Sequence, residues 1–116
     1  MNEGVQTKYD LEERTLEFAR SIRGYYLGKQ SAYLIQDDLK QVIRSSGSIG
    51  ANYIEANDGL SKKDSILRMK IAKKEARETI YWLKLLDAPE DLIEEARQIS
   101  FILASIINKL SEKERS

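Results

Sequence analysis

The chain has no cysteine and no histidine, and only one proline and one tryptophan, in 116 residues. Without cysteine there can be no disulfide, thiolate nucleophile or zinc–sulfur site. Without histidine the commonest general base and the commonest transition-metal ligand are also missing. Carboxylate catalysis and a carboxylate-only metal site remain open. Neither common glycine-rich phosphate-binding pattern occurs. No apolar run approaches the roughly 20 residues that cross a bilayer. Met1-Asn2-Glu3-Gly4 lacks the basic-then-apolar order of a secretory leader. These absences lead us to expect a cytoplasmic protein without cofactor, metal or membrane, and not an enzyme.

What is present reads as one helical domain over residues 1–116. Apolar residues make up 41% and charged residues 33%, too apolar for disorder and sufficient for a single core. The formal net charge is zero, from 19 basic and 19 acidic residues, which argues against a binder held to nucleic acid by bulk charge. The charges are nonetheless sorted along the chain. Between Ser61 and Lys84 stand Lys62, Lys63, Arg68, Lys70, Lys73, Lys74, Arg77 and Lys84 against Asp64, Glu75 and Glu78. Between Asp87 and Glu95 there are five acids and no base.

Apolar periodicity predicts four helices, at about 10–27, 32–56, 61–86 and 89–112. Asp10 is the expected N-cap of the first and Gly28 its end; Leu11, Phe18, Ile22 and Tyr25 or Tyr26 share a face. Ile35, Leu39, Val42, Ser46, Ile49, Tyr53 and Ala56 alternate steps of four and three, the spacing of a bundle seam. Ser61 with Asp64 three residues on predicts the start of the third helix, and Met69, Ala72, Ala76, Thr79, Leu83 and Leu86 its inner side. Pro89, placed at the first helical position, and the acids after it open the fourth, whose seam reads Leu92, Ala96, Ile99, Leu103, Ile106 and Leu110. Its tail from Ser111 is expected to fray. Short turns between such helices imply an all-α, antiparallel up-down-up-down four-helix bundle.

Three features exceed what a lone bundle requires. Gly47 and Gly50, with Ser45, Ser46 and Ser48, interrupt a good helix, which close packing of a neighbouring helix explains. Arg44, Ser48, Asn52 and Glu55 form a polar stripe, with Glu75 and Arg68 as candidate partners, and fit a subunit contact in which polar groups fix geometry. Lys63, Lys70, Lys74, Arg77 and Lys84 fall within roughly 80° of one another on the third helix, with Tyr81 among them. A basic stripe carrying an aromatic suits a phosphate backbone or an acidic protein surface. The large side chains Tyr81, Trp82 and Leu85, with Ile43, Ile54 and Ile102, lie off the main seams and imply self-association.

Tyr9-Asp10-Leu11-Glu12-Glu13-Arg14-Thr15-Leu16-Glu17-Phe18-Ala19, the run from Arg44 to Ala56, Ser61-Lys62-Lys63-Asp64 and Lys74-Glu75-Ala76-Arg77-Glu78-Thr79-Ile80-Tyr81-Trp82-Leu83 occur in that order. Together they resemble the bacterial four-helix bundle proteins related to those encoded in intervening sequences of large-subunit ribosomal RNA genes. The resemblance spans nearly the whole chain. It implies an up-down-up-down bundle assembled as a homopentamer. It also implies kinship with the accessory variability protein of diversity-generating retroelements, a basic pentamer that binds nucleic acid and a reverse transcriptase. Asp37-Asp38 and Asp58-Gly59 depart from the family pattern.

The leading expectation is a non-enzymatic homo-oligomeric scaffold whose basic third helix docks RNA, DNA or a protein partner. A purely structural protein–protein interaction module is the alternative. A third, an enzyme using Glu55 and Glu75 with a hard metal ion, requires those carboxylates to converge.

Overall fold

The computed structural model describes residues 8–29 and 35–115. Four helices follow in order: α1 (Lys8–Tyr26), α2 (Gln36–Asn57), α3 (Lys62–Leu85) and α4 (Glu90–Arg115). No strand occurs among the described residues. Residues 30–34, where the sequence placed the end of the first turn and the start of the second helix, lie outside the described residues.

Several helix ends have a local chemical cause. Gly28 takes φ +79° just beyond α1, a conformation that lacks steric cost only for glycine. The Ser61 hydroxyl accepts the Asp64 N–H at 3.1 Å, satisfying one of the free donors at the start of α3. Gly59 sits so close to α3 that an added Cβ would run into Ser65 Oγ and come within 3.2 Å of the Ala56 carbonyl oxygen. α3 ends in a Schellman motif: the Ala88 N–H bonds the Leu83 carbonyl at 2.9 Å and the Asp87 N–H that of Lys84 at 3.1 Å. Asp87 holds the left-handed position at φ +53°, where glycine is the usual residue.

Four boundary expectations need correction. Asp10 lies inside the first turn of α1 and is not its N-cap; there its charge still favours the positive helix end. Ile35 is the residue before α2, with its side chain 64% exposed, so the seam of that helix begins at Leu39. Pro89 precedes α4 and accepts the Leu92 N–H through its carbonyl. The fourth helix runs past the expected 112 to Arg115.

The core is one apolar cluster drawn from all four helices. Leu11, Phe18, Ile22 and Tyr26 meet Leu39, Val42, Ile49, Tyr53 and Ala56, then Met69, Ala72, Ala76 and Leu83, then Ile93, Ala96, Ile99, Leu103 and Ile107. On α4 the expected Leu92 and Ile106 are only half-buried while Ile93 and Ile107 are buried. Both sets share the central residues and differ by one position, and packing against α3 selects the second. Ile43 and Ile102 are partly buried against this core, so they are not surplus surface.

α3 packs against α2 along one side and α4 along the other, while α1 rests mainly on α2. Small residues make the α1–α2 approach close: a Cβ on Gly50 would stand 2.8 Å from Thr15 Oγ1 and 3.3 Å from its Cβ. Thr15 is buried and turns its hydroxyl back to the Leu11 and Glu12 carbonyls, which leaves its methyl for packing. Between α2 and α3, the buried hydroxyls of Thr79 and Ser45 meet at 2.8 Å. Arg14 ties α1 to α4 through Glu95 at 2.7 Å and Gln98 at 2.8 Å; that bond with Glu95 raises the guanidinium pKa.

Candidate functional site

The polar stripe of α2 points toward α3 and is used within the chain. Arg44 reaches Glu75 at 3.3 Å and Glu78 at 2.6 Å. Glu75 is the more buried carboxylate, with its side chain 13% exposed, so Arg44 compensates a charge that would otherwise be poorly solvated. The Ser48 hydroxyl donates to the Arg44 carbonyl and the Asn52 amide to the Ser48 carbonyl, both at 2.9 Å. Glu55 is exposed. Arg68, the other candidate partner, forms no ion pair among the described residues. The stripe therefore joins two helices of one molecule through Arg44 and Glu75, while Ser48 and Asn52 turn back onto their own helix. Glu75 is engaged by Arg44 rather than set beside Glu55, and no group of three or more acidic residues is placed to hold a metal ion among the described residues.

The basic stripe of α3 stands on the surface as a unit. Lys63, Lys70, Lys74, Arg77, Tyr81 and Lys84 are all exposed. None of these lysines, nor Arg77, forms a salt bridge among the described residues. The acids of the same helix are occupied elsewhere: Glu75 and Glu78 by Arg44, while Asp64 sits at the capped helix start. An open groove runs along Lys70, Lys73, Lys74 and Arg77, bordered by Glu78 and by Ile107 of α4. A second hollow continues it past Lys63, Ile66 and Leu67 to Ser61. Lys73 lies outside the helical sector of the other cations and Ile107 comes from α4; the groove between the two helices, a tertiary feature, brings them in.

Tyr81 is 59% exposed and is braced from behind. Its ring meets Trp82 edge-on at 5.2 Å, the Trp82 indole N–H donates to Glu78 at 3.3 Å, and Glu78 is held by Arg44. The α2 stripe thus supports, through three links, the aromatic side chain of the α3 face. An opposite surface, between α1 and α2, is a groove floored by Gly47, Gly50 and Ala51, with Leu16 and Ile54 each 45% exposed. Glu12 and Glu13 flank one end of it and Arg20 and Arg23 the other.

These features define an all-helical bundle with charges sorted by face. The family model for the 23S rRNA-intervening sequence protein matches residues 7–113. The chain belongs to that family. A solved structure of a protein of unknown function, from the S23 ribosomal protein family of Bacteroides thetaiotaomicron, is 34% identical. The match covers 87% of this chain and 97% of that one, with a TM-score of 0.74. None of the curated proteins compared is similar to the chain. No described helix is long and apolar enough to cross a membrane.

Proposed function

We propose that the chain is a non-enzymatic, self-associating bundle protein that binds RNA through the basic face of α3. The observation that carries this reading is the sorting of charge. Eight basic residues lie between Ser61 and Lys84; none pairs with an acid among the described residues, while Arg44 draws Glu75 and Glu78 away. A chain of zero net charge thereby presents a cationic strip, and such strips bind phosphate backbones by releasing counterions. The test is a gel shift at low salt with Lys70→Glu and Lys74→Glu. Both reversals are expected to weaken binding about equally across RNA sequences; no shift at low salt would remove the RNA reading.

A second reading, a structural module that binds only protein, is favoured by the α1–α2 groove. Exposed Leu16 and Ile54 beside a glycine floor suit a helix from another molecule. The resemblance to the family makes a homopentamer the expected assembly, and both readings share it. They part on the α3 reversals, which in the second reading alter protein contacts only.

A further inference from the structure

We infer that the nucleic acid taken by this protein is single-stranded, with its bases stacking on Phe101 of α4 and Tyr81 of α3. This rests on the RNA reading above and adds which form of RNA the face accepts. Phe101 is 72% exposed, an unusual position for a phenylalanine in the middle of a well-packed helix.

Its place in the fold follows from helical phase. Ala96, Ile99 and Leu103 face the core, and Phe101 lies roughly 140° from that direction. It lies on the flank away from Glu95, which Arg14 of α1 holds, and so on the side of α3. On α3, Lys70, Arg77 and Tyr81 likewise lie on the flank away from Glu75, which Arg44 of α2 holds, while Glu78 borders the groove with its charge paired to Arg44. The two flanks adjoin and face outward together. Ile107 sets the level, since it borders the groove beside Lys70, Lys73 and Lys74. Phe101 comes six residues earlier on an antiparallel neighbour, about 9 Å along the axis. That brings it level with the turn of α3 between Arg77 and Tyr81.

The face therefore combines a cationic groove with two exposed rings near one end. Lys63, Lys70, Arg77 and Lys84 recur every seven residues, a step of about 10.5 Å along the helix. Nearby acids are restrained, because Glu90 and Glu94 are both bound by Arg97. Protein grooves that follow an unpaired strand pair cations for the phosphates with aromatic platforms for the bases. A duplex keeps its bases stacked inside and would contact only the cations. Exposed rings on the same side as the cations are of use to the strand, not to the duplex.

The experiment is fluorescence anisotropy with the full chain, using a single-stranded RNA of about 12 nucleotides and the duplex of the same length. The single strand should bind more tightly. Phe101→Leu and Tyr81→Leu should each weaken it about tenfold while leaving the salt slope unchanged, and Phe101→Trp should retain binding. Preference for the duplex, or full binding by both leucine variants, would overturn the inference while leaving the RNA reading standing. A change in native mass in the Phe101→Leu variant would overturn it too, by making Phe101 a subunit contact. Failure of the unaltered chain to bind either RNA at low salt would remove the RNA reading along with it.

Discussion

Gly50 and Gly47 stand three residues apart in α2, yet a methyl group at each should act in opposite directions. At Gly50 the new Cβ would lie 2.8 Å from Thr15 Oγ1, and Thr15 is locked by its bonds to the Leu11 and Glu12 carbonyls. Overpacking there should outweigh the helix preference of alanine, so Gly50→Ala is expected to destabilise by about 1 kcal/mol net. At Gly47 the nearest atom is Arg23 Nη2 at 3.5 Å, and Gly47→Ala should stabilise by up to about 1 kcal/mol. Denaturant midpoints of the two variants check the contrast. Tyr26 offers a second test at this scale. Its hydroxyl is buried with no hydrogen-bond partner among the described residues, and burial pushes the phenol pKa from 10.0 up to about 12. The fold prefers the neutral phenol, so nothing is lost below the unfolded pKa near 10. Stability should fall as pH rises from 10 to 12, where the unfolded chain ionises first. Tyr26→Phe should flatten that alkaline decline, leaving the remainder to Tyr53, whose pKa burial raises despite a hydrogen bond with Asn57. Melting temperatures across pH 9 to 12 decide it.

Among the elements, the α3–α4 turn is the one whose chemistry departs most from its geometry. Asp87 occupies the left-handed position of a Schellman motif, where an aspartate is strained relative to glycine. Asp87→Gly is expected to raise stability by about 1 kcal/mol, read as a higher denaturant midpoint at unchanged slope. The helices themselves were legible because their seams repeat at bundle spacing and their ends carry Gly28, Gly59, Ser61 and Pro89. What was not legible had a tertiary cause. α4 carries apolar residues at 92 and 93 and again at 106 and 107, so two seams fit its sequence equally, and only packing against α3 buries Ile93 and Ile107. Thr15 looks polar in sequence and is buried because its hydroxyl is satisfied by its own helix.

For the whole molecule, the basic strip was visible in sequence as residues sharing a helical sector. So was its fit to a phosphate backbone; what only the packed helices reveal is that Arg44 of α2 holds Glu78 as well as Glu75. The place of Phe101 beside the strip has no signal in the sequence, since its neighbour across the groove is some 24 residues away. The exposed Leu16 and Ile54 of the α1–α2 groove lead us to expect a native mass several times that of one chain. Replacing both by glutamate should bring the mass down to 13.3 kDa if that groove is the subunit contact. The central claim is that the α3 face binds RNA, and the salt dependence of that binding tests it most directly. Log affinity should fall linearly with log salt, at about 0.7 per phosphate contacted on a single strand. The slope should shrink by nearly one such unit in Lys70→Glu and again in Lys74→Glu. Binding that ignores salt, or keeps its slope when both lysines are reversed, would contradict the account.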